Sequence, residues 1–507
     1  MLAIASVLAE RLDVEVLTHQ LVSRDELEAR LNLDLEKVKI RYLPDLPDRD
    51  LSPYTSHYDL FVNASFMSFL PSRARRSFLL VYFPTPLGMT RKRRFVNWVV
   101  SVLRRCLYVP HYESGFYPPE LIGKTEFRWT GPRARVEFSV PIGKRPVKVS
   151  VLLGRLFPPH WGSAKVSFSS GGRFLDSCEI PSTGVEFLRR EVSINDAAGR
   201  HLSLDIEAEV TTPSSRGEKD PRALGVAVAD VRVAHPLYWP HIALRRFFPS
   251  VAQRIARGVQ ERPEEFLDTY QLICANSRFT QSWITRYWNR ESVVLYPPVD
   301  VESLSPMPKR NIILSVGRFF VGSHNKKHHV MVEAFKDMVN AGLRGWELHL
   351  VGAVSKGTEH REYFGSVGSV SANYPITLHP DAPFPVLQRL YGEATIYWHA
   401  CGYSEDENVD PVRFEHFGIT TVEAMAAGCV PIVIGKAGQR EVVQDGVNGL
   451  LWSSVDQLKA LTLKVIQDGA LADRLRQNAT DRSRAFSMAS FHRRLDRLLL
   501  DLGIGSE

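Results

Sequence analysis

Residues 413–452 read RFEHFGITTVEAMAAGCVPIVIGKAGQREVVQDGVNGLLW. Small and apolar residues over 420–428 spell a short helix with Gly428 as its stop signal, and VPIVI (430–434) is apolar at every position. A strand with no polar face is buried on both sides, as in a parallel sheet covered by helices. The segment HFGI therefore feeds a helix N-terminus, where free N–H groups and the helix dipole favour an anion or a hydroxyl-rich ligand. Two carboxylates, Glu415 and Glu423, flank that loop with seven residues between them. The same residues allow a purely structural reading: Thr420-x-x-Glu423 is a capping box, and Glu415 alone is an ordinary loop acid.

Working outward, an α/β series occupies residues 304–485. NIILSVGR, WELHLVGA, ITLHP, TIYWHA and VPIVIG are its strands, and KHHVMVEAFKDMVNAG is a helix stopped at Gly342. Residues 486–507, FSMASFHRRLDRLLLDLGI onward, form an amphipathic helix expected to pack back toward the N-terminal domain. Residues 1–119 also alternate helix and strand, with VEVLT, VKIRYL, YDLFVNA and SFLLVYF as strands. The chain opens on MLAIASVLAERL, the helix that usually follows a first strand and Gly-rich turn, so that strand is expected to be missing. From 120 to 235 strands follow one another without helices: TEFRWT, ARVEFSV, VKVSVLL, AKVSFSS, GRFLDSCEI, VEFLRREVSI, HLSLDIEAEV and ALGVAVADVRVA. Gly, Pro, Ser and Asn-Asp punctuate them, which predicts an inserted antiparallel β-sandwich. Residues 236–303 return to α/β texture and complete the N-terminal domain. The expected fold class is α/β, two Rossmann-like domains facing a cleft, plus the β insert.

Composition sets outer bounds. The 507 residues are 44% hydrophobic and 23% charged, which excludes wholesale disorder. Five scattered cysteines without a C-x-x-C pair argue against a disulfide scaffold or a zinc site and fit a reducing cytoplasm. No apolar run reaches the roughly 18 residues of a membrane helix. Glu10 and Arg11 interrupt the N-terminal apolar run too early for a signal peptide. The net charge of +7 calls for an anionic partner.

A second cluster lies in SVGRFFVGSHNKKHHVMVEAF. Gly317 and Arg318 end one strand, and Lys326 and Lys327 precede the next helix. Cations at a strand-to-helix turn suit a diphosphate, which Arg binds bidentately and Lys as a point charge. A pair of solvated loop charges is the plainer alternative.

The E-x7-E spacing, the helix EAMAAG, the strand VPIVI and the tail DGVNGLLW resemble the donor-binding domain of glycosyltransferase family 4, retaining enzymes of the GT-B fold. The resemblance covers 309–500, is weaker over the N-terminal α/β region and does not extend to the β insert. The wording EHFGI is similar to that of the dolichol-pathway mannosyltransferases. The resemblance implies that Glu415 contacts hydroxyls of the transferred sugar. It also implies that Glu423 binds the nucleotide ribose, and that Phe417, Gly418 and Ile419 face the sugar and diphosphate. Arg318 and Lys326 would neutralise the leaving diphosphate, with Lys327 the alternative to Lys326, because the spacing from Arg318 is longer than the common form. Gly317 and Gly352 would line the donor site. HPDAP (379–383) would meet the base, Glu441 and Gly438 match the tail motif, and Asn276-Ser277 resembles a cleft element. VYFPTPLGM lacks the histidine found in many relatives, so no general base is assigned.

The implied activity is transfer of a hexosyl group, mannosyl among the candidates, from a nucleoside-diphosphate sugar to a glycan or lipid-linked acceptor in cell-envelope polysaccharide synthesis. No cofactor is expected beyond that co-substrate, and no metal. The only D-x-D, at 48–50, falls in a Pro-rich N-terminal loop. Nucleic acid is not an expected partner. Two rivals stay open: a sugar phosphorylase on the same fold, and a catalytically impaired glycan-binding protein. Residues 73–105, from Arg73 to Arg105, hold nine Arg or Lys and no acid. TRKRRFVNWVVSVLRR mixes these with apolar residues at helical spacing, which suits either an anionic membrane surface or a solvated basic helix face. The expected location is the cytoplasm, with a peripheral position on the inner face of the plasma membrane.

Overall fold

The computed structural model describes residues 2–19, 22–31, 33–43, 48–66, 68–87, 91–107, 109–123, 125–139, 146–194, 201–218, 220–234, 238–248, 251–252, 255, 265–355 and 357–504. The chain divides into two compact units. One comprises Met1–Asp59, Phe69–Arg75 and Leu87–Thr269, the other Leu60–Ser68, Arg76–Pro86 and Tyr270–Glu507.

The second unit holds two parallel sheets. Six strands in the order Ile376–Pro380, Glu347–Gly352, Arg310–Val316, Ala394–His399, Val430–Ile434 and Leu450–Trp452 give a 3-2-1-4-5-6 sequence order, that of a doubly wound dinucleotide-binding sheet. Val430–Ile434 is buried at every residue, as its composition requires. Helix His328–Asn340 covers this sheet through Met331, Val332, Ala334, Phe335 and Met338. The other sheet is four-stranded and parallel, Val293–Val294, Leu272–Ala275, Arg76–Val81 and Leu60–Asn63. These are α/β elements of the kind expected from the sequence. The closing helix, Met488–Asp501, is amphipathic and buries Phe491, Leu495 and Leu499.

The first unit carries a two-stranded parallel sheet, Val14–Thr18 with Val38–Tyr42, and a nine-stranded antiparallel sheet between His111 and Val233. TEFRWT and ARVEFSV, read as two strands, are one strand, Thr125–Ser139. Its C-terminal half pairs with His201–Ala208 and its N-terminal half with Ala227–Val233, so it belongs to both wings of the sheet. The change of wing falls at Gly131-Pro132, where a proline without an N–H costs the ladder nothing. Val166, Phe168, Leu204 and Ile206 from one wing and Val149, Val151, Leu153 and Val231 from the other share one core.

Two further expectations are revised. The D-x-D stretch begins helix Asp48–Thr55 rather than lying in a loop; the neighbouring prolines suggested a loop, yet Pro53 is accommodated inside the helix. Within the basic run, Arg76 lies in a strand and its guanidinium donates to the Leu502 carbonyl at 2.6 Å. The side chains at 91–94, 97 and 104–106 lie outside the described residues. No described helix is long and apolar enough to cross a membrane.

Candidate active site

In an open parallel sheet, ligands gather at the carboxyl ends of the strands where the strand order reverses. Here that point lies between Arg310–Val316 and Ala394–His399. Gly317 and Arg318 leave the first of these strands, His399 ends the other, and Glu415 follows it through a loop. Gly352 ends the adjacent strand so close to its neighbour that an added Cβ would sit 2.1 Å from the Gly317 carbonyl oxygen. An added Cβ at Gly317 would meet the Lys326 side chain at 2.6 Å. The two glycines thus let the backbones and Lys326 pack together at the strand ends.

Lys326 Nζ donates to Glu415 Oε2, and His399 Nε2 lies 3.2 Å from the same oxygen. Burial pushes Glu415 up, but Lys326 and His399 outweigh it and hold the carboxyl well below the usual carboxylate range. Burial lowers Lys326, and Glu415 more than reverses this. His399 is pushed down chiefly by burial; it is 2% exposed and its Nδ1 has no hydrogen-bond partner among the described residues. Arg318 is exposed, 5.5 Å from the Phe320 ring centroid, and near enough for its charge to bear on Lys326.

The two lysines are used differently. Lys327 has left-handed φ (58°) at the start of helix His328–Asn340, and its Nζ is 2.7 Å from Glu405. Glu407 accepts from the Ala437 N–H at 2.7 Å and pairs with Arg440 at 2.6 Å. The acidic loop GYSEDENVDP (402–411) is therefore fastened to the sheet's C-terminal edge.

The capping-box alternative is not realised. Helix Ile419–Ala426 starts after Gly418, whose φ of 112° places a glycine at the N-cap, and no side chain caps it. The Thr420 hydroxyl instead accepts from Tyr397 at 2.8 Å. Glu423 accepts from the Tyr391 hydroxyl at 2.7 Å, and burial raises its pKa. The Phe417 side chain is buried against Tyr296 and Phe486 with centroids 5.6 and 5.3 Å away, so only its backbone is free to face a ligand. Ile419 is exposed.

His416 and Tyr391 were not legible as site elements, whereas Glu441 and Asn276-Ser277, singled out in the sequence, have structural duties. His416 stacks on Phe83 at 4.1 Å, and burial lowers its pKa to about 3. Glu441 accepts the N–H groups of Arg278 and Phe279 at 2.8 and 2.7 Å, at the first turn of helix Arg278–Trp288. Ser277 caps that same helix by accepting from the Thr280 N–H, so Asn276-Ser277 has a structural duty. The histidine and the tyrosine beside the carboxylates come from His399 and Tyr391, which no local motif connects to them.

Residues 300–482 match the family described as Glycosyl transferases group 1. A "GDP-Man:Man(3)GlcNAc(2)-PP-Dol alpha-1,2-mannosyltransferase" of Dictyostelium discoideum is 24% identical over 267 residues, covering 48% of this chain and 50% of the relative. An "Alpha-1,3/1,6-mannosyltransferase ALG2" of Rhizomucor pusillus is 22% identical, covering 50% of this chain and 63% of the relative. The chain thus spans about half to two thirds of the length of these relatives. Among solved structures, a glycosyltransferase from Rickettsia africae ESF-5 is 16% identical with a TM-score of 0.40, covering 54% of this chain and 83% of that one.

Proposed function

We propose, from residues 300–482 as a glycosyl transferases group 1 domain, that the chain is a retaining glycosyltransferase moving a hexosyl group from a nucleoside-diphosphate sugar to a glycan or lipid-linked acceptor. The observation that carries this reading is the meeting of Lys326, His399 and Glu415 at the reversal of strand order, with Glu423 on the adjoining helix. As the bond from the anomeric carbon to the diphosphate breaks, negative charge grows on the leaving oxygens. Arg318 and Lys326 are fixed cations beside that place and favour the charge-separated state. The acceptor oxygen attacks on the face that the diphosphate leaves, its proton passing to the departing diphosphate. Glu415, ionised and oriented by two partners, accepts from sugar hydroxyls, and Glu423 accepts from the ribose. No side chain serves as a covalent nucleophile. The two cations take the role a divalent ion otherwise fills, so donor binding is expected to survive EDTA.

The finer assignment is mannose from GDP-mannose and a lipid-linked glycan acceptor, carried over from the named activities of the relatives. Cell-envelope polysaccharide synthesis at the cytoplasmic face of a membrane is the setting. Helix Arg91–Cys106 supports a membrane-proximal acceptor: Phe95 and Trp98 are each 63% exposed on a helix whose sequence carries six basic residues. The test is a thermal-shift screen of the full chain against nucleotide sugars, followed by transfer of labelled sugar to a lipid-linked acceptor. GDP-mannose should raise Tm with or without EDTA, and Arg318→Ala should abolish transfer in a folded protein. Formation of sugar 1-phosphate from free phosphate would replace the reading with a phosphorylase.

A further inference from the structure

The first unit contains a second polar site. Two adjoining hollows, of about 260 and 390 Å³, lie between the antiparallel sheet and helix Tyr238–Phe247 and share Arg232, Tyr238 and Ile242. Their walls bring four arginines, Arg189, Arg232, Arg245 and Arg246, against two carboxylates, Asp230 and Glu191. Asp230 is already engaged, paired with Arg232 and 3.9 Å from Arg245, so the hollows keep a positive excess. His241 lines the smaller hollow, is 5% exposed, and has no hydrogen-bond partner at Nδ1. Burial, helped by Arg245, holds the imidazole neutral at pH 7, with a pKa of about 4. With the proton on Nδ1, that atom is a donor left without an acceptor among the described residues.

The rim is apolar. Trp239, Ile242 and Arg246 follow at i, i+3 and i+7 and form one outward stripe, with Phe247 beside it. Trp239 is 71% and Phe247 68% exposed, and Phe248 and Val251 continue the exposed apolar surface. Trp239 lines the larger hollow, and Phe247 and Phe248 follow at the end of the same helix, an exposed aromatic run beyond what scattered surface apolar residues explain. Tryptophan and phenylalanine flanked by arginine match the chemistry of a lipid–water interface, where rings enter the acyl boundary and guanidinium groups meet phosphate.

We propose that helix Tyr238–Phe247 and the hollows behind it bind the phosphate headgroup of an anionic lipid and seat the first unit on a membrane surface. The proposal rests on the preceding functional reading only in taking a membrane as the partner. Every residue in it lies outside the donor site. Flotation of the full chain with phosphatidylcholine vesicles, with and without phosphatidylglycerol, tests it. Binding should require phosphatidylglycerol, and Trp239→Ser and Arg246→Glu should each weaken it by about tenfold or more. Unchanged binding in both variants, or loss only in Phe95→Ser/Trp98→Ser, overturns the proposal. So does saturable binding of inorganic phosphate without any vesicle binding, which would assign the hollows to a free anion. GDP binding is measured in parallel. Vesicle binding without GDP binding fails only the glycosyltransferase reading, and GDP binding without vesicle binding fails only this one.

Discussion

Lys326 and Glu415, 89 positions apart in sequence, form an ion pair whose side chains are 18% and 21% exposed. Each compensates a charge the other would leave uncovered, and a diphosphate arriving at Lys326 competes with Glu415 for it. Glu415→Gln should therefore lower turnover by about a hundredfold or more while the nucleotide still binds. On the proposed reading, Lys326→Ala should weaken nucleoside-diphosphate binding as well as turnover, because it removes a cation proposed to face the diphosphate. Steady-state kinetics with calorimetric GDP binding separates the two effects.

His416 sets an acid limit on stability. Its folded pKa, about 3, lies below the ordinary value of 6.5, so the unfolded chain takes up the proton first as pH falls. The stabilisation is complete above pH 6.5 and is lost progressively toward pH 3, at about 1.4 kcal/mol per pH unit for one full proton. Glu415, also held below its ordinary value, adds a further loss below about pH 4.5. His416→Phe, which keeps a ring for stacking on Phe83, should flatten urea-unfolding stability between pH 6 and 4 by about that slope. A slope equal to that of the wild type removes His416 from the account.

The Tyr391 hydroxyl fixes the Glu423 carboxylate at 2.7 Å. Tyr391→Phe leaves the ring in the core and removes the hydrogen bond. GDP affinity should fall by about tenfold, roughly 1.4 kcal/mol, with the melting profile little changed. A melting temperature that drops with GDP affinity intact would make Tyr391 a packing residue alone.

Glu441 places a carboxylate on two free N–H groups at the start of helix Arg278–Trp288. Anions there stabilise by satisfying orphan donors and by opposing the helix dipole. Glu441→Ala should cost about 1–2 kcal/mol in urea unfolding and speed hydrogen exchange in the first turn of that helix. Glu441→Gln should recover part of both.

The parallel strands and the paired carboxylates were legible because they depend on local pattern: VPIVI has no polar face, and Glu415 and Glu423 keep a fixed spacing. Tyr391 was not, because helix packing brings it to Glu423 from 32 positions upstream; His399 stands out only as a histidine 16 positions before Glu415, and strand pairing supplies the contact. The capping-box alternative fails because Gly418 occupies the N-cap and Glu423 accepts from Tyr391. Gly131-Pro132 read as a break between strands, whereas the chain uses it to pass one strand from one wing to the other.

The four-stranded sheet also fixes an order of assembly. Leu60–Asn63 pairs with Arg76–Val81, but Arg76–Val81 finds its other partner, Leu272–Ala275, only after the whole antiparallel region has been synthesised, and Ser77 meets Gln271 across 194 positions. Closing so long a loop is entropically slow unless the intervening chain is already compact. Prior folding of the antiparallel region on the ribosome would shorten that loop, so the pairing of Arg76–Val81 with Leu272–Ala275 is expected to follow it. A lesion confined to the core of the antiparallel region would then reach the parallel sheets through the yield of folded chains, with the chemistry of each surviving molecule untouched.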